Sequence, residues 1–376
     1  MHILFTRFPL ESRFGGAEVQ TLALMKGLRE RGHTVAFLGS CKVLLEETGK
    51  LRIDPSASSE GELRIGMPPV TKWRAISFVW GQFAMRKKLY SQCSILHSQL
   101  HFDVVFMLSL SEKLLLTPYL YKQGIKVVWI EHDRVGRWLT WNPWLPKLRK
   151  LSKLATTIVV SDLSKKIYEK LGFQNVVAIP NGIDIPRLTS GKSQIINRKS
   201  PIFRIGCLSR LSHDKGVDIL IDAVKDLPDV SLTIVGTGSE ELALRRACLA
   251  LPGCHIHAKE EHLADFYRSL DLFVLPSRAH DPFGLVVGEA MMLGIPVIVT
   301  DACGIAGYLQ NGRDAVIVPA GSREELRKAI MGLKNNAEKR LQMGAMGKCT
   351  AEERFSMEKM VQKYEQVLSE NSDQNH

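Results

Sequence analysis

Two acids stand eight positions apart in the segment Pro276-Ser277-Arg278-Ala279-His280-Asp281-Pro282-Phe283-Gly284-Leu285-Val286-Val287-Gly288-Glu289. Asp271-Leu272-Phe273-Val274-Leu275 reads as a buried strand before it, and Gly284 through Leu293 as a helix that closes it. A strand-loop-helix unit aims a helix N-terminus and free backbone N–H groups at whatever occupies the loop, which suits an anion. Asp281 on the loop and Glu289 inside the helix can then hold neutral hydroxyls beside that anion. A sugar nucleotide, a diphosphate flanked by two polyols, has this layout. The plain alternative is that Asp281 caps the helix and Glu289 is a solvated helix residue. Leu285, Val286, Val287, Ala290, Met291, Met292 and Leu293 crowd around Glu289 and count against it, since a buried carboxylate needs a partner.

A second constellation supplies cations. Gly206-Cys207-Leu208-Ser209-Arg210-Leu211-Ser212-His213-Asp214-Lys215-Gly216 leads into an expected helix from Val217 to Val224. Arg210 and Lys215 on that loop can hold a diphosphate and neutralise the charge that grows on it as a glycosidic bond breaks, or be plain surface cations. In Phe14-Gly15-Gly16-Ala17-Glu18, before an expected helix from Val19 to Arg31, the paired glycines permit close approach of backbone to a ligand, or form a simple turn. His132, in Glu131-His132-Asp133, ends an expected strand, where it can bond a sugar hydroxyl or meet a developing charge, or serve structure alone. Gly236-Thr237-Gly238 opens a dinucleotide fingerprint, but Glu241 stands at the third glycine position, so NAD is weakly supported. No phosphate-binding P-loop, nucleophile elbow or zinc-protease motif accompanies these groups.

The elements that must carry them alternate. Strands are expected near 2–6, 34–39, 103–108, 125–131, 156–160 and 176–179, then near 202–208, 230–235, 254–257, 271–275, 296–300 and 315–318. Strands interleaved with helices predict α/β architecture, two Rossmann-like doubly wound parallel-sheet domains with ligands in the cleft they face. The expected division is an N-terminal domain over 1–185, a Ser-, Gly- and Asn-rich linker over 186–200, a C-terminal domain over 201–354, and a final amphipathic helix with polar tail over 355–376.

With 376 residues, 45% hydrophobic and 24% charged, the chain has material for two ordinary cores. Met1 runs directly into a strand-like segment, so no leader is expected, and no apolar run approaches the length of a membrane span. Seven cysteines without a C-x-x-C pair predict buried or free thiols in a reducing, cytoplasmic setting. The net charge of +11 is concentrated. Lys72, Arg74, Arg86, Lys87 and Lys88 accompany Trp73, Phe78, Trp80 and Phe83; Arg134, Arg137, Lys147, Arg149, Lys150 and Lys153 accompany Trp138, Trp141 and Trp144. Core aromatics with solvated basic neighbours would explain the pattern, as would peripheral contact with the inner face of an anionic membrane. Nucleic acid is not an expected partner, because no nucleic-acid motif appears.

Taken together, these motifs resemble the retaining glycosyltransferases of the two-domain GT-B fold called glycosyltransferase family four, group 1 type, and the resemblance covers nearly the whole chain. It rests on Phe14–Glu18 running to Arg31-Gly32-His33-Thr34-Val35, on Ile179-Pro180-Asn181-Gly182-Ile183-Asp184, on the Arg210/Lys215 spacing, and on Pro276–Glu289 followed by Gly294-Ile295-Pro296-Val297-Ile298. The resemblance implies that Glu289 binds the nucleotide ribose and Asp281 faces the donor sugar. Phe283, Gly284 and Leu285 would offer backbone to sugar and phosphate, with Gly15 and Gly16 approaching the diphosphate from the first half. His132 would contact the transferred sugar, and the last helix would return to the N-terminal domain. No metal or other cofactor is expected, Arg210 and Lys215 supplying the positive charge. The implied reaction moves a hexose from a nucleotide diphosphate sugar, UDP-sugar ahead of GDP-mannose, to a lipid-linked, lipopolysaccharide or other glycan acceptor. A non-catalytic sugar-nucleotide-binding partner and a sugar-nucleotide epimerase are the alternatives. Two positions depart from the family pattern. Asp281 stands for the usual Glu, shortening its reach by about 1.5 Å. Ala302-Cys303-Gly304-Ile305-Ala306-Gly307 replaces the usual Gly-Gly and following Glu, a turn similar to that of hexosyltransferases building lipopolysaccharide cores.

Overall fold

A computed structural model of the chain describes residues 1–8, 15–50, 72–189, 201–260 and 262–370. It falls into two compact units, Met1–Ile179 with Val361–His376, and Pro180–Met360. Most of the expected linker, residues 190–200, and the end of the polar tail, residues 371–376, lie outside the described residues, as does Phe14.

The first unit begins β1 (His2–Arg7), α1 (Gly16–Glu30), β2 (Thr34–Gly39), α2 (Lys42–Lys50), α3 (Lys72–Leu100), β3 (Val104–Met107) and α4 (Leu110–Lys122). It continues with β4 (Lys126–Glu131), α5 (Arg137–Thr140), α6 (Leu145–Leu151), β5 (Thr156–Val159), α7 (Asp162–Lys170) and β6 (Val176–Ala178). The second holds α8 (Ile185–Thr189), β7 (Phe203–Leu208), α9 (Val217–Val224), β8 (Val230–Val235), α10 (Glu241–Leu249), β9 (Cys254–His257) and α11 (Leu263–Arg268). β10 (Leu272–Leu275), α12 (Leu285–Met292), β11 (Val297–Thr300), β12 (Val316–Val318), α13 (Arg323–Lys334) and α14 (Ala337–Arg354) follow, and α15 (Met357–Glu370) runs from the second unit into the first.

Each unit has one six-stranded sheet, ordered β2-β1-β3-β4-β5-β6 and β12-β11-β10-β7-β8-β9, with every pairing parallel. All twelve expected strands are present, displaced by no more than one residue at either end. Helices cover both faces of a parallel sheet, so its strands are apolar throughout rather than alternating. Val104-Val105-Phe106-Met107 and Leu272-Phe273-Val274-Leu275 are buried at every position.

Cysteine usage departs from expectation. Cys248 at the end of α10 and Cys254 at the start of β9 form a disulfide across the turn between them, with Cα atoms 5.3 Å apart. Their spacing is not C-x-x-C, and only the folded turn brings them into bonding range. The bond removes the redox ground for expecting a reducing compartment. Cys41, Cys93, Cys207, Cys303 and Cys349 form no disulfide, and all but Cys349 are buried. Among the described residues, no helix is long and apolar enough to cross a membrane.

The later part of α15 packs into the first unit. Val361, Tyr364 and Leu368 are buried, with Tyr364 edge-on to Phe106 at 6.0 Å between centroids. Glu365 accepts from Arg31 at 2.6 Å and bonds His33 at 3.0 Å. Lys126 donates to the carbonyls of Val367 at 2.7 Å and Leu368 at 2.8 Å, supplying the cation and donors that a helix C-terminus lacks. The helices meet closely at Gly27, where a Cβ would lie 2.5 Å from Val361 Cγ2. Gly27→Ala therefore overpacks this contact and should cost about 1–3 kcal/mol, read as a lower urea midpoint. Combining it with Val361→Ala should restore most of the loss, because the clash is with that one side chain.

A buried carboxyl gives the first unit a pH signature. Glu112 is fully buried on α4 and accepts the Ser109 N–H at 2.7 Å. Burial pushes its carboxyl up to about 7, outweighing the opposite pull of backbone N–H groups and of Lys113 and Arg7. The folded state keeps this proton up to that pH, whereas an unfolded chain releases it at the ordinary value of 4.5. The group's contribution to stability should therefore fall as pH rises through this window. Glu112→Gln should flatten that part of the pH dependence, measured as denaturation midpoints at pH 5 and pH 8.

Candidate functional site

β7 and β10 lie side by side at the middle of the second sheet, with β8 on the far side of β7 and β11 on the far side of β10. The connections leaving their carboxyl ends diverge, so a crevice opens there, the usual ligand position in an open parallel sheet. The loop after β7 carries Arg210 and Lys215; the loop after β10 carries Asp281.

These loops are tied together. Lys215 Nζ lies 2.6 Å from Asp281 Oδ2, both side chains mostly buried, and Ser277 Oγ donates to the same oxygen at 3.2 Å. Backbone N–H groups of Arg278 and Ala279 donate to the Asp214 carbonyl at 2.8 and 3.2 Å. Arg278 also donates to His213 O at 2.6 Å and pairs with Asp218. Gly216 sits at φ +63, where a Cβ would lie 2.3 Å from the Pro276 carbonyl, so the turn behind Lys215 needs glycine on two counts. Arg210 is exposed at the open end of its loop.

The incomplete dinucleotide fingerprint supports this loop from behind. A Cβ on Gly236 would lie 1.9 Å from Ser209 O, and one on Gly238 2.2 Å from Leu211 O. Leu211 N–H donates to Thr237 O at 2.9 Å and Glu240 N–H to Leu211 O at 2.9 Å. These two glycines allow two backbones to touch beneath Arg210.

Asp281 does not cap α12. That position belongs to Gly284, left-handed at φ +90, where a Cβ would meet Cys303 Sγ at 2.4 Å. Asp281 instead forms a single parallel bridge with Cys303, its N–H donating to Ala302 O at 2.9 Å and its carbonyl accepting from Gly304 at 2.9 Å. Ile305 N–H at 2.7 Å and Cys303 Sγ at 3.2 Å both donate to the Phe283 carbonyl. The departing Ala302–Gly307 segment is thus the strap that shapes the Asp281–Gly284 loop. Phe283 is buried edge-on to Phe355 at 5.5 Å, and half-buried Leu285 opens α12. Glu289 is buried rather than solvated, and its Oε2 accepts the Tyr267 hydroxyl at 2.7 Å. Sequence reasoning passed over Ser277 and Tyr267. Ser277 stood inside the quoted block, whereas Tyr267, 22 residues from Glu289, left no local pattern.

Gly15, Gly16 and His132 belong to the first unit. Gly15 is the exposed, extended N-cap of α1 and Gly16 its first residue, so the helix begins three residues before the expected Val19 and ends one before Arg31. Arg7, at the end of β1, pairs with buried Glu18 in the first turn of α1. His132 follows β4. Buried Lys113 donates to Ile130 O at 3.0 Å and pairs with Glu131 at 2.8 Å, fixing the strand end that precedes His132. The His132 Nδ1 is sealed from water without a partner among the described residues. Burial, then the charges of Arg7 and Lys113, push the ring down to about 3, so it is a neutral imidazole at ordinary pH. As such it can give or take a hydrogen bond and carries no positive charge.

A second surface lies on α3, the α5–α6 turn and α6 of the same unit. Phe83 is 68% and Trp141 71% exposed, and Arg86, Lys87 and Lys88 are exposed beside Phe83 in the chain. Lys147 stands 5.2 Å from the Trp144 ring, and its ammonium is lowered by burial and by the charge of Arg86. Arg86, for its part, lies over the Tyr90 ring at 5.2 Å. The side chains of Lys72, Trp73, Arg74, Phe78, Trp80, Arg137 and Trp138 lie outside the described residues.

Residues 14–187 match the family described as Glycosyltransferase Family 4, and residues 192–349 that described as Glycosyl transferases group 1. A phosphatidyl-myo-inositol mannosyltransferase of Mycobacterium leprae is 30% identical over 186 residues, covering 48% of this chain and 50% of that protein. The lipopolysaccharide core biosynthesis glycosyltransferase LpsE of Rhizobium meliloti is 28% identical over 165 residues, covering 43% and 48%. The chain thus spans about half the length of the curated relatives it matches. The crystal structure of Anabaena HepE in complex with UDP superimposes with a TM-score of 0.76 at 22% identity, over 98% of this chain and 100% of that one, which is a likeness of fold. Two matching domain families spanning most of the sequence, on two Rossmann-like sheets, establish that the chain belongs to the group 1, family 4 glycosyltransferases of the GT-B fold.

Proposed function

We propose that the protein transfers a hexose from a nucleoside-diphosphate sugar to a membrane-linked glycan or glycolipid acceptor, with retention of anomeric configuration. The observation that carries this reading is the Lys215–Asp281 pair at the divergence of β7 and β10, a cation and an acid sharing one ligand position. Arg210 and Lys215 would bind the diphosphate and stabilise it as it leaves. Backbone at Phe283, Gly284 and Leu285 would meet sugar and phosphate at the start of α12, and Glu289 would hold the ribose. Asp281, held by Lys215 and Ser277, would accept from a donor-sugar hydroxyl.

In the reaction, the acceptor oxygen bonds the anomeric carbon on the face that the phosphate leaves. The departing phosphate oxygen takes the acceptor's proton. This accounts for retention without a covalent enzyme intermediate, and Arg210 and Lys215 would neutralise the leaving charge in place of a metal. His132, as a neutral imidazole, would bond the transferred sugar, with Gly15 and Gly16 offering backbone to the donor. A UDP-sugar is the favoured donor, as the HepE complex contains UDP, and GDP-mannose is the alternative. The names of the mycobacterial and rhizobial relatives support a glycolipid or lipopolysaccharide-type acceptor.

Transfer of radiolabel from UDP-hexoses and GDP-mannose to a membrane lipid extract tests the reading. Arg210→Ala and Lys215→Ala should each lower kcat/KM by about 100-fold. Full transfer by both variants overturns it. A rearranged donor released without acceptor would identify an epimerase instead, and donor binding without turnover a non-catalytic partner.

The basic-aromatic surface would hold the enzyme against anionic lipid, each cation near the headgroups contributing about 1 kcal/mol. Cosedimentation with phosphatidylglycerol vesicles should exceed that with phosphatidylcholine vesicles and weaken with salt. Replacing Arg86, Lys87 and Lys88 by Ser should lower it by about tenfold or more. Equal binding to both vesicle types would reject the membrane contact.

A further inference from the structure

Glu289 cannot select a ligand unless its carboxylate is held in one orientation. A buried carboxylate on a helix can swing about several side-chain torsions, and each alternative would aim its lone pairs elsewhere. Tyr267 limits that freedom. It comes from α11, before β10, and is fully buried, with its ring edge-on to Phe273 at 5.5 Å and against Phe266 at 5.4 Å. Packed on two rings, the hydroxyl occupies a fixed point, 2.7 Å from Glu289 Oε2. A bond to a charged acceptor is among the stronger hydrogen bonds. A carboxylate has about four lone-pair sites, so this bond leaves it capable of accepting from a ligand.

We propose that Tyr267 is a positioning residue that determines sugar selectivity in the nucleotide. By locking Glu289, it makes binding depend on the ribose hydroxyls and so separates ribonucleotides from deoxyribonucleotides. The inference rests on the donor-site reading of Glu289. A site built to bond a hydroxyl rejects an analogue lacking it, because its own polar group is left unpaired. A carboxylate free to turn away relieves that penalty, and the rejection is lost.

Calorimetric titration with UDP and GDP, and with the 2′-deoxy and 3′-deoxy forms of each, tests this. Wild type should bind the ribonucleotide at least about tenfold more tightly than one of its deoxy forms. Tyr267→Phe, which removes only the hydroxyl from a packed ring, should bring that ratio to about threefold or less. General damage to the site would weaken both ligands in proportion and leave the ratio unchanged, so the ratio reports positioning. In a Glu289→Ala background, Tyr267→Phe should produce no further change, because the two residues act as one unit. A ratio preserved in Tyr267→Phe overturns the inference and leaves the donor site standing. Equal binding of ribo and deoxy forms by the wild type overturns ribose recognition by Glu289 and the inference with it. Absence of binding by every nucleotide overturns the donor-site reading itself, and therefore both.

Discussion

The ion pair between Lys215 and Asp281 joins the loops that follow two adjacent parallel strands whose connections leave in opposite directions. Several local features of the second unit hold those two loops together. Gly216 and Gly284 take left-handed conformations that bring each loop against its neighbour, and the Arg278 contacts to His213, Asp214 and Asp218 lace the two together. A charge pair that is largely removed from water is worth little as stabilisation, since desolvation offsets the attraction. Its value is geometric: cation and carboxylate are fixed before any ligand arrives.

The first unit uses charge in a related way. Arg7, Glu18, Lys113 and Glu131 gather around the carboxyl ends of β1 and β4, with Glu112 below and His132 at the rim. Lys113 and Glu131 satisfy one another within the fold. Burial, then the charges of Arg7 and Lys113, keeps the His132 imidazole neutral, so the ring offers hydrogen bonding rather than charge. Basic residues elsewhere in this unit remain at the surface among exposed aromatics, which is where the chain's excess positive charge is spent on something other than folding.

Much of this was legible in the sequence. Gly15, Gly16, Arg210, Lys215, Glu289, Asp281 and His132 were singled out from local pattern, because each falls just after a strand or inside the helix that follows, whereas Phe283, Gly284 and Leu285 entered through the family resemblance. Two of the seven cysteines were read wrongly. Cys248 and Cys254 carry no recognised spacing, and their approach depends on how tightly one turn closes. Glu112 could not be read as buried and protonated, because its neighbours in sequence, Ser111 and Lys113, suggest a polar surface. Gly236 and Gly238 gave only weak support for a cofactor, and the close backbone approach that needs them there rests on a second loop from elsewhere in the chain.

By itself the sequence determined the twelve strands, the alternation of helices with them, and the loops after two of the strands that hold Arg210, Lys215 and Asp281. The reason is that apolar runs, glycine turns and helix starts are local, and burial on both faces makes parallel strands unusually plain. Tertiary structure alone decided which groups meet. Lys215 and Asp281 are 66 residues apart and Tyr267 and Glu289 are 22 apart, and neither pairing has a periodicity to reveal it. Strand order placed β7 beside β10, and that adjacency, with the side-chain packing around it, turned separate motifs into one site.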